Sequence, residues 1–310
     1  MNLRCSAVPY VLFIGLLFGS SLVVSRFSVG QWDPRVYTSL RLAIAASLHL
    51  AAYLFIGSRA WPRSLYLWKH AAVLGVIGTA IPMTSVILGL QYQSSGVTSL
   101  LLTLNPAVTI ILAEIFLQDE NLTRMKVLGV LVAFAGAGLL LMRGETGLAS
   151  FAQADWRGYA WTGVGILGSA TGGVYGKRFL GSADGFDVAS VRMFSAAIAI
   201  NLVTIATVGY DLSGVVNSGY AALAYATFST FFGFIVSFRI IQRFGATVSS
   251  QTSYIIPIVA TTCGALFLGE RVTWPMLAGM AVIFLGLALL NWKGGAERLR
   301  GFYGIRRYPG

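Results

Sequence analysis

The chain has 310 residues, of which 56% are hydrophobic and 11% are charged. Soluble domains carry about 25% charged residues, so this composition excludes a soluble globular protein and predicts one embedded in lipid. The formal net charge of +11 does not indicate a nucleic-acid-binding protein, because the basic residues lie at the ends of apolar runs and form no basic stripe. The two cysteines and two histidines show no metal-ligand spacing, so neither a metal nor a cofactor is predicted.

Ten apolar runs are long enough to cross a bilayer, since a helical span needs about 20 residues. In chain order these spans are 8–29, 36–56, 70–90, 95–117, 123–142, 157–179, 186–208, 219–241, 246–268 and 274–292. The first run follows Arg4 and resembles a secretory signal peptide, but no small-residue cleavage site ends it and further apolar runs follow it. We therefore interpret it as the first transmembrane helix and predict an all-α integral membrane protein.

The distribution of Lys and Arg predicts how the chain crosses the membrane. With the N-terminus in the cytoplasm, most of the 22 Lys and Arg residues fall in or beside cytoplasmic loops. The basic residues on the outer side are then Arg35, Arg143, Arg157 and Arg271. Positive residues concentrate on the cytoplasmic side of membrane proteins. A multi-pass protein of the cytoplasmic (inner or plasma) membrane, with both termini in the cytoplasm, is therefore predicted.

The chain contains an internal repeat. In the first copy Pro106 is followed by Phe116, Thr123, Gly129 and Gly136, and in the second copy Pro257 is followed by Phe267, Thr273, Gly279 and Gly286. The copies divide the chain into a first five-helix repeat (1–142), a linker (143–156), a second five-helix repeat (157–292) and a basic cytoplasmic tail (293–310). Because five is an odd number, the second repeat enters the membrane upside down. Ten transmembrane helices, arranged as two inverted five-helix repeats, are therefore predicted.

Several motifs resemble those of a known family. They are Leu17-Phe18-Gly19-Ser20-Ser21 in span 1, Leu40-Arg41-Leu42 in span 2, Gly89-Leu90-Gln91-Tyr92 at the end of span 3, Asn105-Pro106 in span 4, and Phe267-Leu268-Gly269-Glu270-Arg271-Val272-Thr273 before span 10. In order, spacing and duplication they resemble the EamA family of the drug/metabolite transporter superfamily over nearly all of 8–292. The resemblance implies a ten-helix transporter whose central cavity is lined by helices 1, 3, 4, 6, 8 and 9, with helices 5 and 10 outside it. Many members of that family export amino acids, other small metabolites or toxic compounds.

Pro106 and Pro257 lie near the middle of spans 4 and 9. Proline lacks an N–H donor and kinks helices, and in a transporter such a kink acts as a hinge or presents free carbonyl groups to a cavity. Because the two prolines stand at equivalent repeat positions, we predict a gating or cavity-shaping role for both. The alternative is that they only shape the contacts between helices.

Asn105 is the leading candidate for substrate binding, because a buried amide in lipid is costly unless it is hydrogen-bonded. Other candidates are Thr98 and Thr109 on the same face of span 4, Ser249 and Ser253 on the equivalent face of span 9, and the aromatic residues Tyr175, Phe231, Phe232 and Tyr254 as walls of the cavity. The alternative is that the hydroxyl groups join helices and that the aromatic rings pack against neighbours or lipid.

Few charged groups lie within the spans. Glu114, near the end of span 4, is the candidate for proton coupling, and the alternative is a carboxylate that reaches the interface or pairs with Arg. No acid lies at mid-membrane, which favours facilitated transport. Arg41 and Arg192 stand at equivalent places in spans 2 and 7, where each could attract an anionic group. We favour instead a role as helix-end anchors that bind carbonyl groups and lipid headgroups.

Two acidic residues, Glu120 and Glu270, precede spans 5 and 10, where Thr123 and Thr273 are the expected N-caps. An acid near a helix N-terminus is favourable because the helix dipole is positive there. We expect these four residues to have a structural role.

The inverted repeats predict a secondary transporter that works by alternating access through a cavity between them, and the family resemblance implies an exporter of small metabolites such as amino acids. The alternatives are an importer or exchanger of another class, such as a nucleotide-sugar-like substrate, and a membrane subunit that does not transport. An enzyme would need an acid pair, a metal motif or a nucleophile–base set, and the sequence shows none. The expected partners are the lipid bilayer and a small-molecule substrate, and the sequence leaves a homodimer open.

Overall fold

The computed structural model describes residues 3–55, 60–117, 123–148, 155–213, 215–244 and 251–292. The regular secondary structure of these ranges is helical and contains no strand. The helices are α1 (Leu3–Ser28), α2 (Pro34–Phe55), α3 (Leu65–Gly89), α4 (Ser95–Phe116), α5 (Arg124–Met142), α6 (Trp156–Leu180), α7 (Gly185–Thr207), α8 (Asn217–Phe244), α9 (Thr252–Leu268) and α10 (Trp274–Leu290). Six of them are long and apolar enough to cross a membrane, and α9 and α10 are shorter apolar helices. The prediction of an all-α membrane protein is confirmed.

Side-chain caps determine where several helices begin. Thr123 accepts a hydrogen bond from the Lys126 N–H, and Thr273 accepts one from the Met276 N–H, so both predicted N-caps are confirmed. The start of α3 lies several residues before the predicted position, because Ser64 accepts from the Leu67 N–H and extends the helix to Leu65. Each such cap stabilises a helix by about 1 kcal/mol.

Helices α2 and α7 occupy equivalent places in the two halves of the sequence and pack against each other. Near the start of α2, the Ser39 carbonyl accepts from Asn201 Nδ2 at 3.3 Å. Near the end of α2, the Tyr53 hydroxyl donates to Asp187 at 2.6 Å. The start of α2 therefore lies beside the end of α7, and the two helices are antiparallel.

Helices α5 and α10 form a second pair of equivalents, held close by glycine. A Cβ atom on Gly129 would lie 2.8 Å from the Gly286 carbonyl oxygen, and one on Gly136 would lie 3.0 Å from that of Gly279. This pair is also antiparallel, because the earlier glycine of α5 faces the later glycine of α10. Equivalent helices that run in opposite directions are the relation expected of inverted repeats.

The remaining contacts between the halves are also matched. Helix α1 packs on α8 and α9, and its equivalent α6 packs on α3 and α4. Helices α4 and α9 contact each other. Six helices, α1, α3, α4, α6, α8 and α9, thereby surround a common centre, while α5 and α10 make their main contact with each other.

Candidate substrate cavity

A cavity of about 380 Å³ lies where the two halves meet. Its lining includes residues of both halves, from α1 to α4 in the first and from α6 to α9 in the second. The polar lining residues are Ser21, Ser25, Arg41, Thr79, Ser99, Thr103, Asn105, Ser169, Arg192, Thr230 and Ser253. Within the described part of the chain, two arginines and no carboxylate line this cavity. Helices α2 and α7, which the family resemblance did not include in the lining, supply these arginines.

Arg41 is held in the lining by neutral hydroxyl groups of two other helices. Its Nε donates to Thr230 Oγ1 at 2.9 Å. Its terminal nitrogens donate to Ser25 Oγ at 3.1 Å and to Ser21 Oγ at 3.0 Å. Only 7% of Arg41 is exposed. The interpretation of Arg41 as an anchor for lipid headgroups is wrong, because α1 and α8 enclose its guanidinium in the interior.

Two of these hydroxyls are fixed as acceptors for Arg41. Ser25 Oγ donates its own proton to the Ser21 carbonyl at 2.7 Å, and Thr230 Oγ1 donates to the Ala226 carbonyl at 2.9 Å. A hydroxyl that donates to its own helix turns its lone pairs toward another donor. The position of the Arg41 guanidinium is therefore set before any ligand enters.

Arg192 is bound differently, at an irregular turn of α3. Its Nε donates to Thr79 Oγ1, and one terminal nitrogen donates to the Gly78 carbonyl at 2.6 Å. In a regular helix that carbonyl would accept from the N–H of residue 82, but Pro82 has none. Residues Val76–Ala80 form a π-helical turn just before this proline. Arg192 thus supplies a donor to the carbonyl group that Pro82 leaves without its helical partner, and it lies in the cavity lining instead of at a headgroup.

The two Arg–Thr contacts are equivalent in the repeat. The spacing that separates Arg41 from Arg192 also separates Thr79 from Thr230. Each arginine therefore binds the threonine of the opposite half. Sequence reasoning placed the arginines at equivalent positions but missed these partners, because the contacts join residues far apart in the chain.

Both predicted kinks lie at the cavity. Helix α4 is interrupted between Leu102 and Asn105, directly before Pro106, whereas α9 continues through Pro257. A proline removes the donor for the carbonyl four residues earlier, which is that of Leu102 in α4 and of Ser253 in α9. Leu102 and Ser253 both line the cavity. A role of these prolines in gating stays a prediction.

Asn105 lies in the cavity lining, as does Ser253. The Asn105 Oδ1 atom is buried and has no hydrogen-bond partner among the described residues. A buried acceptor without a partner costs about 1–3 kcal/mol. This unsatisfied group makes Asn105 the strongest of the sequence-predicted candidates.

The other candidates on α4 and α9 lie away from the cavity. Thr98 is fully buried and binds Gln93 Nε2 at 2.9 Å, and Thr109 donates to the Asn105 carbonyl within its own helix. Tyr254 packs edge-on against Phe284 of α10. Ser249 lies outside the described residues.

The aromatic and acidic candidates also have other surroundings. The Tyr175 hydroxyl pairs with His70 Nδ1 at 2.7 Å. Phe231 packs edge-on against the His49 ring, and 41% of Phe232 is exposed. Glu114 is exposed near the end of α4. None of these four residues is part of the described cavity lining.

Glu270 binds a helix of the opposite half. Its carboxylate accepts from the Ser95 N–H and from Ser95 Oγ, both at 2.8 Å, and from the Gly96 N–H at 3.3 Å. The expectation that Glu270 interacts with the start of α10 is corrected: the carboxylate binds the start of α4. Arg26 and Glu270 line a smaller cavity of about 240 Å³ beside this contact.

The sequence profile of the EamA-like transporter family matches residues 6–142 and 156–292. The chain belongs to the EamA-like transporter family. This EamA-family chain also resembles a solved crystal structure with a TM-score of 0.62 and 22% sequence identity, over 92% of this chain and 96% of the other, which shows a shared fold.

Several curated relatives of this EamA-family chain carry transporter names. An uncharacterized transporter of Archaeoglobus fulgidus is 28% identical over 89% of this chain and 95% of the relative. The uncharacterized inner membrane transporter YedA of Escherichia coli is 24% identical, over 89% and 87%. A probable terminal-alkyne amino-acid exporter of Streptantibioticus cattleyicolor is 24% identical over 71% and 72%. The EamA-family chain is therefore a multi-pass membrane transporter that contacts the lipid bilayer and a small-molecule substrate.

Proposed function

We propose that this EamA-family protein is a secondary transporter that exports small metabolites, such as amino acids, by alternating access through the cavity between its halves. The observation that carries the proposal is the cavity itself. Its volume of about 380 Å³ suits a small metabolite, and polar groups of both halves face it. A site between two repeats that rock against each other is exposed to one side of the membrane at a time.

The antiparallel pairs α2–α7 and α5–α10 support an inverted arrangement of repeats 1–142 and 157–292. We extend the proposal to a protein of the cytoplasmic membrane with both termini in the cytoplasm, on the positive-inside distribution of Lys and Arg. The name of the amino-acid exporter from Streptantibioticus cattleyicolor supports the substrate class and the direction.

The mode of transport that we propose is facilitated. The described cavity lining contains no carboxylate, and Glu114 lies outside it. In such a mechanism Pro106 and Pro257 allow α4 and α9 to bend as the halves move, and Asn105 supplies a polar contact to the substrate.

Flux through reconstituted protein tests this function. The purified full chain is placed in liposomes loaded with a mixture of amino acids and small metabolites, and the loss of each compound is followed by mass spectrometry with and without a proton gradient. We expect saturable loss of one chemical class, independent of the gradient.

Asn105→Ala tests the site, and Asn217→Ala is the matched control at an exposed position at the start of α8. The first substitution should lower flux about tenfold, because a lost hydrogen bond to a buried substrate costs on the order of 1.4 kcal/mol. The control should transport like wild type. Absence of protein-dependent loss of any compound contradicts the proposed function, and equal flux in both variants contradicts the role of Asn105.

A further inference from the structure

Arg41 carries a positive charge where a charge is costly. It is 7% exposed, within a helix bundle of the membrane, and its described hydrogen-bond partners are the uncharged hydroxyls of Ser21, Ser25, Thr230 and Tyr37. A buried charge without an opposite charge destabilises a protein by several kcal/mol, so such charges in membrane spans mark functional sites. Resting on the proposed function, we propose that Arg41 binds the carboxylate group of the transported metabolite.

The surroundings of Arg41 fit a ligand-binding role because they orient the guanidinium without neutralising it. Ser25 and Thr230 donate to carbonyls of their own helices and present lone pairs to Arg41. The planar guanidinium is thereby fixed at the cavity surface. A guanidinium fork matches a carboxylate in shape, and a fork that is oriented in advance loses little entropy when the ligand binds.

The anion is a carboxylate because a single guanidinium is presented to it. Arg192, the other cavity arginine, donates to the Gly78 carbonyl that Pro82 leaves without its helical donor, so turning it toward a ligand would leave a buried acceptor unsatisfied. Ser25 and Thr230, in contrast, keep a hydrogen bond within their own helices when Arg41 turns to a ligand. A phosphate monoester carries nearly two negative charges and usually engages several donors. One guanidinium compensates the single charge of one carboxylate.

The described cavity lining offers the ammonium group of an amino acid no charged partner comparable to Arg41. The described lining contains two arginines and no Asp or Glu. The positive potential of the arginines opposes a cation in the same space. The carboxylate is therefore the recognised group of an amino acid, and the same acid without its amino group should bind at least as tightly.

A role of Arg41 as a structural link between α1, α2 and α8 is the competing explanation. It predicts lower stability on substitution, with no change in which ligands bind. Ligand selectivity distinguishes the two roles, because only a binding role makes the preference for acids depend on Arg41.

The test uses matched series of ligands on the purified full chain in detergent. Each series contains an amino acid, the corresponding acid without the amino group, the primary amide of the amino acid, and the alkyl phosphate of the same skeleton. Binding is measured by ligand-induced thermal stabilisation and by competition. In wild type we expect both carboxylates to bind about tenfold or more tightly than the amide, and the phosphate to bind more weakly than the carboxylates.

Arg41→Gln should reduce the preference for acid over amide to less than about twofold, because the neutral side chain keeps donors but lacks the charge. Arg157→Gln is the matched control, since Arg157 is exposed at the start of α6, where it pairs with Asp155. The control should keep the full preference. If Arg41→Gln does not fold, the double variant Ser21→Ala and Ser25→Ala keeps the charge but frees the guanidinium, and should lower acid affinity more than amide affinity.

Any of these results overturns the proposal: equal binding of acid and amide by wild type, an unchanged preference in folded Arg41→Gln or in the serine double variant, or tighter binding of the phosphate. The absence of stabilisation by any carboxylate also overturns it. The proposed transport function fails separately, since carboxylate-selective binding without flux removes transport and keeps the site. Flux without a difference between acid and amide keeps transport and removes the site.

Discussion

The two arginines of the cavity stand at equivalent positions of the repeat, yet their surroundings differ. Ser21 and Ser25 of α1 bind Arg41. The residues at the equivalent positions of α6 are Gly172 and Gly176, which have no hydroxyl to offer Arg192. The two arginines and their threonine partners are therefore repeated in both halves, whereas the serines that bind Arg41 are not.

Close contact between α3 and α6 explains why residue 172 is a glycine. A Cβ atom on Gly172 would lie 2.5 Å from Gly78 Cα, so a serine does not fit there. Arg192 binds the Gly78 carbonyl instead, which Pro82 leaves without its helical donor. The residue equivalent to Pro82 in α8 is Gly233, within an α-helix that runs from Asn217 to Phe244. The described partners of Arg41 are thus side chains alone, whereas Arg192 binds one side chain and also completes the backbone hydrogen bonding of a helix.

The largest expected effect comes from adding a side chain at Gly172, where α3 and α6 are in close contact. Gly172→Val should lower the free energy of unfolding by about 3 kcal/mol, because its side chain overlaps the Gly78 backbone and α3 and α6 must separate. Unfolding of the purified protein in detergent by denaturant measures the change. Gly163→Val is the control, since no atom lies within 4 Å of a Cβ at that position of α6. Equal stability of the two variants would show that the α3–α6 contact is looser than described.

Removing the second arginine should affect stability and leave ligand preference intact. Arg192→Gln should lower the free energy of unfolding by about 2 kcal/mol, because the Gly78 carbonyl and Thr79 lose a charged donor. The preference for carboxylates over amides should remain, in contrast to Arg41→Gln. A loss of that preference in folded Arg192→Gln would show that the two arginines share one ligand.

A smaller effect should show how far the contribution of Arg192 to stability depends on Pro82. Pro82→Ala restores an N–H that can donate to the Gly78 carbonyl, so that carbonyl depends less on Arg192. In this background Arg192→Gln should cost about 1 kcal/mol less than in wild type. A double-mutant cycle of unfolding free energies measures the difference, and strict additivity of the two substitutions would contradict the link between them.

Hydropathy predicts the all-helical membrane fold well, because lipid requires long apolar helices. The cavity is harder to predict. Helical periodicity places Thr98 and Asn105 on one face, but it does not tell which turn of that face meets the cavity, and Thr98 lies among packed side chains. The serine and threonine partners of Arg41 come from α1 and α8, far away in the chain. For Arg192 the sequence does contain a signal: Pro82 stands four residues after Gly78, so the Gly78 carbonyl lacks its helical donor.

The reciprocal contacts of Arg41 with Thr230 and of Arg192 with Thr79 have the form of an isologous dimer interface, in which residue i touches j and j touches i. In a dimer of one five-helix unit, every substitution is made twice, so a change that improves one cavity arginine alters the other in the same way. In a single chain each copy mutates independently. A single chain with two copies can therefore keep one arginine for the architecture while the other changes with the substrate.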